Sequence, residues 1–308
     1  ADGEHAGCLG WCMFDYPTHK DFGSGDRVCH HGVMDAFRNP KLAAAVYASQ
    51  QEERPVLVVG STMDIGDYAA SNLGSVYLFT NADEVALYKN DVFVAKMDKS
   101  DYTAIPHGPM ELNDTIGRML ETEEGFDKTK AELIKKALLS AGKYGLGAMP
   151  KADMLRMGYA MMRYKMSYQD GVDLYGKYIA NWGGEATVWR LKAEKDGEVV
   201  ATYTCKPSAR LHLEVKASHV ALREGDTYDM AAVRVRILDE NGNIAPYAQL
   251  PVRFALEGEA ELVGPAVATA EGGMTGTFVK TAGKEGEARL TITAEGMEPA
   301  VLIFKVCV

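Results

Sequence analysis

Val233, Val235 and Ile237 alternate with Arg234 and Arg236. Only an extended strand sends every second side chain to one face, so a period of two here demands a sheet with one buried side. The pattern returns in GTFVKTAGKEGEARLTITAEG and AVLIFKV, and a DENGN turn at residues 239–243 joins two of the runs. About seven short strands between turn signals predict an immunoglobulin-like β-sandwich over residues 214–308. It lacks the Cys…Trp…Cys spacing of antibody domains. The same grammar appears earlier. RPVLVVG is followed by GSVYLFTNADEVALYKNDVFVAKM, with turns at Asn81-Ala82-Asp83 and Lys89-Asn90-Asp91. It resumes in EATVWRLKAEKDGEVVATYTC, a hairpin around Asp196-Gly197.

Between these stretches, over about 111–182, the pattern turns helical. TKAELIKKALLSAG offers a capping box of Thr129 with Glu132 and a stop at Gly142. Pro150 opens a methionine-rich helix, and Ser167 with Asp170 caps the next, which Gly183-Gly184 ends. The expectation is one sandwich, residues 53–213, with a helical insertion. Met149, Met154, Met157, Met161, Met162 and Met166 are expected to pack within the helices or against the sandwich.

The first 52 residues are different. GCLGWCMFDYPTHKDFGSGDRVCHHGVMDAFRNPK gathers aromatic residues, histidines, cysteines and acids. AGCLGWCMFDY has strand length, a glycine-rich loop follows, and NPKLAAAVYASQQEE reads as a helix. One strand–loop–helix unit cannot bury its own apolar face. It requires neighbours that these residues do not provide.

Composition sets limits. The chain has 308 residues, 47% of them hydrophobic, and a formal net charge of -10. A surplus of acid disfavours a nucleic-acid partner, which needs clustered lysine and arginine. The basic residues Lys128 to Lys136 alternate with acids, as on a solvated helix face. No apolar run approaches a membrane span. The N-terminus has no secretory pattern, and five irregularly spaced cysteines argue against a disulfide framework, so a reducing, cytoplasmic compartment is favoured. Cys29, His30, His31 and His19 fit no common zinc spacing.

The run Trp11-Cys-Met-Phe14-Asp15-Tyr16 resembles the last barrel strand of glycoside hydrolase family 2 enzymes, which include β-galactosidases, β-glucuronidases and β-mannosidases. HGVMDAFRNPKLAAAVYASQ is similar to the loop and helix that follow it, matching at Gly32, Asp35, Pro40 and Lys41. Residues 214–308 are similar to the C-terminal Ig-like domain of many bacterial members. The helical insertion departs from the family pattern.

The resemblance implies a mainly β chain: two immunoglobulin-like β-sandwiches, the first with the helical insertion, preceded by a remnant of a TIM barrel at residues 1–52. It implies the C-terminal region of a retaining exo-β-glycosidase, most simply a β-galactosidase, whose partners are a carbohydrate substrate and the upstream barrel and N-terminal domains. A homo-oligomer is compatible with it. The two catalytic glutamates would lie on earlier barrel strands, and Glu4 matches neither family motif. Trp11 takes the place of the tryptophan that floors the sugar pocket, and Asp15 that of a pocket-shaping acid. His31 stands where some β-galactosidases place an asparagine near the sugar 6-hydroxyl and a bound sodium ion. A full-length enzyme is compatible with sodium or magnesium, yet imidazole is a poor ligand for alkali metals. The contrasting reading is a non-catalytic Ig-like carbohydrate-binding or adhesion module, which would have no use for the opening motif.

Overall fold

The computed structural model describes residues 9–19, 28–63, 73–180 and 186–308. Glu4, Cys8, most of the glycine-rich loop and the expected stop at Gly183-Gly184 lie outside them. The chain forms two compact units, one built from Ala45–Pro207 and the other from the residues up to Ala44 together with Ser208–Val308. Opening segment and last sandwich therefore share a unit.

The strand expected over AGCLGWCMFDY does not form in the described residues. Phe14 makes a single parallel bridge to Met34, and only β1 (Tyr16–Pro17) pairs, antiparallel, with β2 (Val28–Cys29). A strand needs partners along its length, and the segment has only its own returning chain to bond. Helix α1 (Leu42–Ala48) follows Pro40 and is shorter than the alanine-rich run.

In the 45–207 unit, β3 (Leu57–Val59), β4 (Tyr77–Thr80), β5 (Glu84–Lys89), β6 (Val92–Met97) and β7 (Met110–Glu111) come first. Helices α2 (Met119–Thr122), α3 (Lys128–Tyr144), α4 (Lys151–Tyr164) and α5 (Tyr168–Tyr175) follow, and a π-helical turn, Gly176–Ala180, continues α5. Strands β8 (Trp189–Lys195) and β9 (Glu198–Cys205) close the unit. One sheet has the order β3-β4-β7 and the other β6-β5-β8-β9. The helices leave from β7 of the first sheet and return the chain to β8 of the second, which pairs with β5 from Glu84↔Glu194 to Lys89↔Trp189. Val85, Leu87, Leu191 and Ala193 are fully buried along that seam. Asp196 and Gly197 both have positive φ, 53° and 80°, the requirement of a two-residue hairpin turn.

The helix ends differ in part from expectation. Asp127, not Thr129, caps α3, because its carboxylate accepts from the amides of both Thr129 and Lys130. Gly142 does not stop α3. A Cβ there would lie 3.0 Å from Ile179 Cγ2, so the glycine serves close packing, and the helix runs on to Tyr144 before Gly145 turns out at φ 73°. The box of Ser167 and Asp170 is present at α5. Met157, Met161 and Met166 line an apolar cleft between helices, but Met154 and Met162 are exposed. Among the described residues no helix is long and apolar enough to cross a membrane.

In the other unit the strands are β10 (Leu211–Ala217), β11 (Ala221–Arg223), β12 (Met230–Asp239), β13 (Pro251–Gly258), β14 (Ala260–Val263), β15 (Val267–Thr269), β16 (Met274–Thr281), β17 (Gly286–Ala294) and β18 (Ala300–Cys307). They form sheets ordered β10-β12-β16-β14 and β11-β18-β17-β13-β15. Val233, Val235 and Ile237 are fully buried with Leu290, Ile292 and Phe304, whereas Arg234 and Arg236 stay partly exposed. Each buried aliphatic side chain contributes about 1.5–3 kcal/mol to that core, which fixes the register of β12, since a one-residue slip would bury the arginines.

Candidate functional site

The opening segment lies on the outer face of β16. On that strand Val279 points into the core, so Gly276 and Phe278 face away from it. Phe37 packs on both: its ring centroid is 5.8 Å from that of Phe278, and a Cβ at Gly276 would strike the Phe37 ring. β14 pairs only with Phe278–Thr281 of β16, so the strand edge at Thr275 is open. Asn39 fills it. This fully buried side chain donates from Nδ2 to the Thr275 carbonyl at 2.8 Å and to Asp35 Oδ2 at 2.8 Å. Asp35 Oδ1 accepts from the amides of Phe37 and Asn39, both at 2.8 Å, tying the turn into a knot. Burial holds the Asp35 carboxyl above its ordinary pKa, against those hydrogen bonds, which act to lower it.

A second knot lies above the first. Asp15, 7% exposed, accepts from the Gly32 amide at 2.8 Å and the Lys41 ammonium at 2.7 Å, both on Oδ1. His30 Nδ1 is 3.6 Å from Oδ2, and Lys41 also donates to the His30 carbonyl at 3.0 Å. At Gly32 a Cβ would collide with backbone atoms of Phe14, Asp15 and Met34, so the two passes of chain touch there and only glycine fits. Arg38 lies flat over Phe14, 3.6 Å from the ring centroid.

Consecutive side chains of an extended chain point oppositely. Asp15 is held inside, and Tyr16 faces the other way. The Trp11 indole, 78% exposed, donates from Nε1 to the Tyr16 hydroxyl at 3.3 Å. Tyr16 is registered with Cys29 across the β1–β2 pair, and Cys29 Sγ is 3.1 Å from His31 Nδ1. Hydrogen bonding to Cys29 raises the Tyr16 hydroxyl above its usual pKa. Trp11, Tyr16 and His31 thus form one rim, with the buried Cys29 set between Tyr16 and His31. Of the sequence-predicted residues, Trp11 and His31 stand on this rim and Asp15 lies beneath, closed off by Gly32 and Lys41. Sequence reading gave no role to Tyr16, Cys29 or Asn39. Only the alternation after Asp15 could have pointed to Tyr16, while Asn39 carries no local signal for a partner 236 positions away.

The chain resembles known proteins. Residues 213–303 match the model of the glycoside hydrolase family 2 C-terminal domain 5. The chain is 30% identical over 287 residues to a β-galactosidase of Thermoanaerobacter pseudethanolicus, a match covering 92% of this chain and 31% of that protein. It is also 30% identical over 269 residues to a β-galactosidase of Thermoanaerobacterium thermosulfurigenes, covering 86% and 30%. These matches support a C-terminal fragment of a glycoside hydrolase family 2 protein. The match is to the family's C-terminal region, and the chain spans less than a third of those relatives. A solved β-glycosidase of Bacteroides vulgatus has the same fold over 96% of this chain and 30% of its own, with a TM-score of 0.59 at 14% identity. A family 2 β-glucuronidase superposes over 96% of this chain and 24% of its own with a TM-score of 0.56, also at 14% identity.

Cys29 and His31 are a thiol and an imidazole, ligands for soft and borderline metals rather than for sodium or magnesium. Among the described residues no three metal-ligating side chains converge.

Proposed function

We propose that the chain is the C-terminal region of a retaining exo-β-glycosidase acting on terminal β-galactosides, in which residues 1–52 supply the last strand, loop and helix of a (β/α)8 barrel and the two following regions are immunoglobulin-like sandwiches. The observation that carries this reading is Trp11, an indole 78% exposed on a segment otherwise pinned from beneath by Asp15 and Asn39. A large apolar plane held rigidly in the open suits a pyranose face, which it contacts at little entropic cost. His31 stands on the same rim, within reach of sugar hydroxyls. Asp15 shapes the site by fixing Gly32 and Lys41. The active sites of such barrels lie at the C-terminal ends of their strands, which is where this reading sets the rim.

Double displacement needs two carboxylates about 5 Å apart, one as nucleophile and one as acid/base. In this reading both belong to the upstream barrel, and the 308-residue chain alone hydrolyses no glycoside. The test assays aryl β-galactoside, β-glucuronide and β-mannoside with this chain and with its full-length parent. The parent turns over the galactoside. Trp11→Ala in the parent lowers kcat/KM by roughly tenfold or more through lost orientation of the sugar, and in the short chain leaves Tm unchanged because the indole is exposed. Turnover by the short chain, or a parent inert on all three sugars, would refute the proposal.

A further inference from the structure

Lys89 ends β5 on the face that carries Val85 and Leu87 into the core, and it is 8% exposed. Its ammonium is 3.5 Å from the Tyr178 carbonyl, the outer limit of a hydrogen bond, and 5.4 Å from the centroid of the Trp189 ring. Among the described residues no carboxylate pairs with it. The acids nearby are otherwise engaged. Glu123 and Glu124 both accept from Lys177 and from the Tyr178 hydroxyl. A buried cation without a counter-ion is costly, and proteins keep one where something else supplies the charge. Burial pulls the Lys89 pKa below its ordinary value, and the Glu123 charge offsets that only in part.

The group opens on a cavity. A volume of 510 Å³ is bounded by Lys89, Thr187, Trp189 and Tyr178, with Met63 and Leu139 among its apolar walls. That is in the size range of small-molecule sites. The other charges on its walls are Lys143, paired with Glu111, Asp153, paired with Arg156 and bonded to Ser140, and Lys206. Thr187 supplies a second, independent signal: its hydroxyl oxygen is buried and has no hydrogen-bond partner. The two groups border the same end of the β5–β8 pair. Lys89 is directly opposite Trp189, and Thr187 is two residues before Trp189, on the chain that enters β8.

We propose that this cavity binds a small organic carboxylate, with the Lys89 ammonium and the Thr187 hydroxyl each donating to the carboxylate and the organic part lying against the apolar walls. The buried Lys89 ammonium and the Thr187 hydroxyl together match the single charge and two oxygens of a carboxylate. A phosphate dianion would need more donors and more positive charge. No covalent step is involved.

The test follows the Tm of the 308-residue chain with added sodium benzoate and sodium acetate, against sodium chloride and sodium phosphate at matched ionic strength. A ligand that binds only the folded state raises Tm in a saturable way. Benzoate and acetate are expected to do so, chloride and phosphate not. Lys89→Met removes the cation and keeps the volume, and the carboxylate-dependent shift is lost. Thr187→Val weakens it roughly tenfold. Should Lys89→Met misfold, the Thr187→Val titration and the benzoate-induced movement of the Trp189 indole resonance in the unmodified chain decide the matter. No saturable shift at tens of millimolar carboxylate would overturn the proposal. So would an equal shift in folded Lys89→Met, or phosphate binding as tightly as benzoate.

Discussion

Asn39→Ala separates the foundation of the rim from the rim itself. The native side chain makes two hydrogen bonds through Nδ2, to the Thr275 carbonyl and to the Asp35 carboxylate, while its own Oδ1 is buried with no partner. Truncation leaves the Thr275 carbonyl unsatisfied on an open strand edge, which costs roughly 1–3 kcal/mol. It also removes a charge-assisted bond to Asp35, about 1.5–3 kcal/mol. The carboxylate keeps the amides of Phe37 and Asn39, so the turn survives. Against these losses, deleting the unsatisfied Oδ1 recovers about 1–3 kcal/mol. The balance is about 2 kcal/mol in favour of the native residue, or about 30-fold in the equilibrium for releasing the segment. Amide hydrogen exchange over residues 33–41 reads that opening directly, and should quicken about 30-fold while β17 and β18 change little. Exchange within twofold of the unmodified chain would refute the account of Asn39 as the bond between segment and sheet. Asn39→Asp sharpens the test. It sets a second carboxylate against Asp35 and the Thr275 carbonyl in a buried place, so it should release the segment more completely than alanine does, and less so in acid, where the pair can share a proton.

Gly276→Ala should lower the stability of the same unit by roughly 1–3 kcal/mol through overpacking against Phe37, seen as a lower Tm and earlier protease cleavage near residue 38. Asp127→Ala removes the acceptor for two amides at the start of α3, at a cost of about 1 kcal/mol in urea unfolding. For Asp170, hydrogen bonds from the Ser167 amide and hydroxyl hold the carboxyl below its ordinary value. Its contribution to α5 is therefore fully present above the unfolded pKa of about 4 and is lost as pH falls through the lower folded value. Asp170→Ala should flatten the acid limb of a plot of Tm against pH, and an unchanged acid limb would contradict that role.

The sheets were legible because their cause is local. In β12 the alternation of Val233, Val235 and Ile237 with arginines leaves one way to bury the valines, and at 196–197 an Asp-Gly pair states its own turn. Helix ends were legible to within a turn. Ser167 and Asp170 form the box that their spacing predicts, while α3 is capped by Asp127, two residues before the expected Thr129, because composition alone does not say which of several acceptors starts the helix. The strand expected at Trp11 to Tyr16 failed for a different reason. Its apolar run is suited to a sheet, but sheet formation is a property of neighbours, and this segment finds only a bridge and a two-residue pair.

Packing also separates two properties that the opening motif had merged. Read as letters, Trp11, Asp15 and His31 are equivalent members of one chemical cluster. In the structure Asp15 is enclosed by Gly32 and Lys41, and its neighbour Tyr16 reaches the exposed Trp11. The chain thus has a fixed side and an open side, one residue apart. The fixed side leads from Asp15 to Gly32, through Met34 and Pro40, to Asp35 and Asn39, and so to β16. A change at the edge of β16 should therefore reach the rim along these bonded neighbours. Rim substitutions should leave stability alone and change what the rim touches. Foundation substitutions should lower stability first and alter the rim only as a consequence, so the ratio of the two effects places any variant on one side or the other.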